Sequence, residues 1–156
     1  MHRNGFINGQ AAFVAAVLLA WSLSHLCAQT AGETRPAAID VMVAVPATGE
    51  QVQLVGTAAV DASVAAQDGV RYRMPYTCDV AGDGRTATPG NDYHLIGHAS
   101  GTAIFDGPLP ATVSATCPAD LTRSSAQQRY DIAVEVSVLA DGAVGSAAVR
   151  QVVPAR

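Results

Sequence analysis

The chain contains no lysine; all nine basic residues are arginines, scattered along the sequence, and the formal net charge is −4. Binding to nucleic acid needs a basic patch that displaces counterions from phosphates. No such patch is visible, so a nucleic-acid partner is not expected. Aromatic residues make up only 5% of the chain, and its one Trp is Trp21, close to the amino terminus. A core so rich in Ala and Val buries little area per residue and gains from a covalent staple. No Cys-x-x-Cys pair, no Gly-x-Ser-x-Gly elbow and no helical period is present. Their absence removes the usual signatures of a redox dithiol and of a serine hydrolase. A chain this short with a single Ala/Val core also leaves little room for the deep cleft that paired catalytic carboxylates need. Neither an enzyme nor a bound cofactor is expected.

What the chain does have begins with an export signal. Arg3 precedes residues 11–23, which are apolar apart from Ser22. This run is too short to span a bilayer of about 30 Å as a helix, which takes about 20 residues. Leu26-Cys27-Ala28 ends it, with cleavage before Gln29. A lipidated Cys27 is the rival reading, and Ser24-His25-Leu26-Cys27 matches that signal poorly. The expected organisation is a signal peptide over 1–28, a flexible leader over 29–38 and one domain over 39–156. The mature protein is then secreted or periplasmic and keeps no integral membrane segment.

After cleavage only Cys78 and Cys117 remain. Two cysteines in an oxidising compartment pair. The bridge closes a loop of about 40 residues, worth roughly 4 kcal/mol in the chain-entropy model.

From Ile39 onward the apolar period is two. Ile39, Val41, Val43 and Val45 alternate with Asp40, Met42 and Ala44, and Pro46 ends the run. Residues 52–64 form a second extended stretch. Val70, Tyr72, Met74, Tyr76 and Cys78 share one face of a third, and Pro75 places that strand at an edge or at a bulge. Residues 79–92 read as a glycine-rich loop. Short strands follow at 93–96, 102–105 and 112–117. Tyr130, Ile132, Val134, Val136 and Val138 alternate with polar partners, and Asp141-Gly142 turns the chain into a last strand over 143–153. The pattern predicts an all-β fold, an antiparallel β-sandwich of seven to eight short strands with one disulfide joining facing sheets. A small barrel is the alternative.

Asp83-Gly84-Arg85-Thr86-Ala87-Thr88-Pro89-Gly90-Asn91-Asp92-Tyr93, followed by Ser100-Gly101-Thr102-Ala103-Ile104-Phe105, resembles the central signature of Calx-β domains. Val70-Arg71-Tyr72 resembles the strand before it, and Ala140-Asp141-Gly142-Ala143-Val144-Gly145-Ser146 the closing strand pair. The resemblance implies a seven-stranded sandwich serving as an interaction module outside the cytoplasm. Calcium-binding members use clustered acids. Here Thr122-Arg123-Ser124-Ser125-Ala126-Gln127-Gln128 carries none, and the early acidic turn is reduced to Glu50.

Asp79, Asp83 and Asp92 are the remaining calcium candidates. An EF-hand register started at Asp79 fails, because Ala81 and Gly90 fall on ligand positions. Acids in such a stretch also serve as turn formers. His94 and His98 have helical zinc spacing, but on a strand they stand about 13 Å apart. Arg71 and Arg73 point away from the core and, with Tyr76, are candidate binding residues for a protein or surface polymer. The expected function is a non-enzymatic exported module for protein or surface-polymer interaction, or a structural part of an envelope assembly. The alternatives are a calcium-dependent adhesion module and a small inhibitor of a hydrolase such as lysozyme. For the inhibitor, Tyr76-Thr77-Cys78 with Ala99-Ser100-Gly101 faintly resembles periplasmic lysozyme inhibitors, although their Lys-Gly element is absent.

Overall fold

Strict alternation of apolar and polar residues builds strands with one dry face. In the computed structural model, which describes residues 32–156 apart from Pro89, Asn91 and Ser125, that alternation holds over nearly the whole chain. The expected signal peptide lies outside the described residues. The strands are β1 (Glu33–Val45), β2 (Glu50–Ala62), β3 (Ala65–Ala66), β4 (Arg71–Thr86), β5 (Tyr93–Asp106), β6 (Ala111–Arg123), β7 (Ala126–Val138) and β8 (Val144–Pro154). All pairings are antiparallel, in the order β1-β2-β4-β5-β6-β7-β8, with β3 a short addition beside β4. Among the described residues no helix is long and apolar enough to cross a membrane.

The strands form one continuous sheet that curls into a nearly closed barrel, in place of the expected sandwich. Except for β3 they are 11 to 16 residues long, not short. A long twisted sheet can cover its own inner face by coiling. Ile39, Leu54, Met74, Leu95, Leu121 and Ile132 meet inside, each at most 1% exposed.

Closure is incomplete at two seams. Seven strands in an up-and-down path leave the first and last running the same way. At one end of the β1–β8 seam, Arg35 Nε and Nη2 donate to Val144 O at 3.1 and 2.9 Å. At the other, Tyr130, which pairs with Pro154, donates from Oη to Ala44 O at 2.9 Å. Side chains bind this parallel seam.

The second seam lies between β5 and β6, which pair only over His94–Thr122, Leu95–Leu121 and Ile96–Asp120. Thr116 N donates to Tyr76 Oη at 3.2 Å, and that hydroxyl stands 3.4 Å from Thr116 O. Backbone groups two residues apart on a strand point the same way, so a rung at Pro118 would need an N–H that proline lacks. The ladder therefore stops after Ile96. Beyond it Gly97, Ala99, Gly101 and Ala103 give β5 an inner face of small residues. A Cβ at Gly97 would overlap Pro118 O, and one at Gly101 the Tyr76 hydroxyl. This space admits the Cys78–Cys117 disulfide. Its Cα atoms are 5.8 Å apart although β5 lies between β4 and β6. Strands two places apart in a flat sheet stand roughly 9.6 Å from each other. The bridge thus marks where β6 folds across β5 within one sheet, rather than joining facing sheets.

Other expectations change for local reasons. Residues 33–38 of the expected flexible leader belong to β1, paired with β2 from Glu33–Ala62 onward. Pro36 is tolerated there because no ladder runs along the other side of β1. The expected strands at 93–96 and 102–105 are one strand, β5, continuing through Gly97 and Gly101. The expected loop at 79–92 is strand as far as Thr86. β4 is a central strand, and the irregularity at Pro75 falls between β2 and β3, where Ser63 N donates to Pro75 O at 3.3 Å. Val70 precedes β4 and is 66% exposed instead of joining the inner face.

Candidate functional site

Three connections gather at the barrel end where β4 starts and β5 stops. In residues 67–70, Asp68 Oδ1 accepts from Arg71 N at 2.8 Å, and Gly69 adopts φ +80°, which favours glycine. In residues 107–110, Gly107 N donates to Val70 O at 2.7 Å and so ties the second connection to the first. In the turn of residues 139–143, Ala143 N donates to Asp141 Oδ1 at 3.0 Å. Between them lies a cup of about 510 Å³ lined by Gly69, Val70, Tyr72, Pro108, Leu109 and Ala140. The Tyr72 ring in its wall stacks on Phe105, with centroids 5.4 Å apart. Val70 and Leu139 stand exposed at this end. Cavities of roughly 300–1,000 Å³ at barrel mouths, walled by apolar and aromatic side chains, are typical binding sites.

The expected binding residues flank this cup without forming it. Arg71 Nε pairs with Asp106 Oδ1 at 3.2 Å beside its rim. Arg73 is exposed on the outer face of β4, directly across from Ile104. Tyr76 turns to the inner side and spans the β5–β6 seam. A second depression, of about 430 Å³, lies by Asp61, Ser63, Pro75, Tyr76, Thr77 and Ser100. Sequence reading missed the cup because its three connections lie far apart in the chain. The available signals were an apolar Val70 directly after the Asp68-Gly69 turn and a Leu109 between two prolines.

The acidic candidates do not converge. Asp79 and Asp83 lie on the outer face of β4, directly across from His98 and His94 of β5. Asp92 is exposed before β5. Register, not loop geometry, positions the first two. Among the described residues no group of three His, Cys, Asp or Glu side chains is placed to hold a metal ion. His98 Nδ1 stands 2.6 Å from Asp79 Oδ1, the bond that orients a general base. Among the described residues no hydrogen bond joins its neighbour Ser100 to it.

At the opposite end of the barrel Glu50 is engaged within the chain. Tyr93 Oη donates to Glu50 Oε2 at 2.6 Å, and Arg123 Nη1 stands 2.9 Å from the same oxygen. The Arg123 guanidinium also lies 4.5 Å over the Tyr93 ring. The Tyr93 hydrogen bond first, then that from Arg123, hold the Glu50 carboxyl below its ordinary pKa, while burial and then the Glu50 bond raise Tyr93. The cluster ties the β1–β2 turn to β5 and β6. A lowered carboxyl pKa contributes stability that is complete above the ordinary value of 4.5 and is lost as pH falls through the folded-state value. Glu50→Gln is expected to flatten the fall in melting temperature below that pH. Melting curves of the variant and the parent across the acid range check this; parallel pH profiles would remove Glu50 as a source of acid lability.

No known family, characterised protein or solved structure matches this chain.

Proposed function

We infer that this chain is an exported, non-enzymatic β module that binds another protein by accepting an apolar side chain in the cup beside Tyr72 and Leu109. The observation that carries this reading is the cup itself, a recess of mixed polar and apolar wall that holds the Tyr72 ring, Leu109 and the exposed Val70, with Leu139 exposed at the same end. Exposed apolar surface around a recess is characteristic of protein contact sites, and anchor side chains in such recesses dominate binding. The export signal expected over residues 1–28 supports a partner outside the cytoplasm. The resemblance to Calx-β domains agrees with an interaction module.

The test compares the exported protein with its Val70→Asp and Leu109→Asp variants, immobilised and exposed to the host's envelope proteins. A partner that uses the cup is retained by the parent. Its affinity falls at least about thirtyfold for either variant, as loss of an anchor worth 2 kcal/mol implies. Arg85→Ala, on the distant part of β4, should bind as the parent does. Equal retention by all variants, with unchanged melting temperatures, would exclude the cup as the binding site.

A further inference from the structure

The outward face of β2, β4 and β5 carries an arrangement separate from the cup. Directly opposed residues cross these strands in rows. The middle row is Thr57, Ala81 and Ile96. The row on one side ends in Asp83 and His94, and the row on the other in Asp79 and His98. His94 Nδ1 stands 3.1 Å from Asp83 Oδ1, and His98 Nδ1 2.6 Å from Asp79 Oδ1. An ionised carboxylate only accepts hydrogen bonds, so each Nδ1 carries a proton and each Nε2 is the ring nitrogen turned away from its carboxylate. A carboxylate on one ring nitrogen, with the other free, is how a metal-binding histidine is held. The side chains of His94 and His98 are 68% and 71% exposed, so both Nε2 atoms are open to a ligand.

One such imidazole supplies a single ligand where zinc takes four. Four residues apart on a strand, the two rings stand about 13 Å from each other and cannot share an ion. A second protein ligand has to come from outside the chain, and the register of this face lets a second copy supply it. A two-fold axis along the middle row reverses the strand direction. It sets Ile96 against its own counterpart, and His94 against His98 of the second copy, twice. Such an isologous contact closes on itself. Ile96 is 66% exposed, and its row neighbours Ala81 and Thr57 are small. The middle row offers one large exposed apolar side chain per copy, Ile96, far less than the apolar contact of a stable interface of roughly 1,200 Å². The apolar contact alone therefore does not hold two copies together. We propose that divalent transition-metal ions of the zinc class bridge His94 of one copy to His98 of a second, two ions per pair, joining the outward β4–β5 faces.

The experiment is sedimentation velocity on the exported protein, free of any histidine tag, with zinc ion or with chelator. A monomer in chelator and a dimer at micromolar zinc are expected. Each bridge needs both histidines, so His94→Ala alone and His98→Ala alone each abolish the dimer. A mixture of the two variants can rebuild one bridge and should regain dimer at higher protein concentration. Asp79→Asn should raise the zinc midpoint about tenfold to a hundredfold. All three side chains are exposed, so their substitution leaves the fold intact. An unchanged mass with zinc would overturn the proposal, as would a zinc-driven dimer that survives in either histidine variant. A mixture that gains no mass over the single variants would overturn the His94–His98 pairing.

Discussion

Tyr130→Asp is expected to leave the domain unfolded, or melting far below the Asp131→Asn variant. Tyr130 is fully buried, in line with Ile132, Val134 and Val136 on the inner face of β7. Its hydroxyl reaches Ala44 O at 2.9 Å and helps bind the parallel seam between β1 and β8. The substitution removes a buried ring, a change that typically costs about 3–5 kcal/mol. It also buries a carboxylate with no partner, at several kcal/mol more. Together these are comparable to the roughly 5–15 kcal/mol that holds a typical domain folded. Asp131 lies on the other face and is only half-buried, so Asn there should stay close to the parent. Tyr130→Phe separates the two contributions. It keeps the ring and loses one hydrogen bond, about 1 kcal/mol. Thermal melts of the three variants decide the matter. Equal melting for Tyr130→Asp and Asp131→Asn would mean that the two faces of β7 are reversed.

Replacing Cys78 and Cys117 together by Ala should cost roughly 4 kcal/mol, the chain-entropy value for a loop of this length. At about 4 °C per kcal/mol for a domain of this size, the melting temperature falls by roughly 15 °C. The bridge does more than shorten the unfolded chain. It crosses the β5–β6 seam, where the ladder is missing and Tyr76 supplies the hydrogen bonds at Thr116. Residues 111–117 of β6 then have β7 as their only ladder partner. Their amide exchange should accelerate more than that of β2 or β4 when the bridge is lost. Alkylation, without reductant, of the protein isolated from its native host should label neither Cys78 nor Cys117. Labelling of both, or a double variant that melts with the parent, would remove the bridge from the account of stability.

The strands were legible where the chain alternates over many residues. β1 and β7 contain the alternating runs Ile39 to Val45 and Tyr130 to Val138 and end where those runs end, although each strand starts earlier, at Glu33 and at Ala126. Burial of one sheet face imposes a period of two on the chain itself. Strand ends were less legible. Gly82, Gly84, Gly97 and Gly101 read as loop punctuation, yet all four lie within β4 or β5. At Gly97 and Gly101 the absence of a side chain makes room for Pro118 O and for Tyr76. Those neighbours arrive from other strands, so nothing local distinguishes such a glycine from one in a turn.

The candidate sites divide in the same way. That Arg71 and Arg73 face outward follows from alternation beside Tyr72 and Met74. That Asp79 meets His98 and Asp83 meets His94 follows only from the register of β4 on β5, which pairs residues 19 and 11 positions apart. The cup is more remote still, because Val70, Leu109 and Ala140 come from three separate connections.

By itself the amino-acid sequence determined the all-β class, the inner faces of the long strands and the pairing of Cys78 with Cys117. The first two depend on a residue's own type and its nearest neighbours; the pairing was expected because Cys78 and Cys117 are the two cysteines outside the expected signal peptide. The tertiary structure alone decided that one sheet curls into a nearly closed barrel, that Tyr76 and the disulfide span one seam, and that the cup and the histidine face exist. Those depend on which strands lie side by side and in what register. Many pairings bury the same alternating faces, and only packing over the whole chain selects among them.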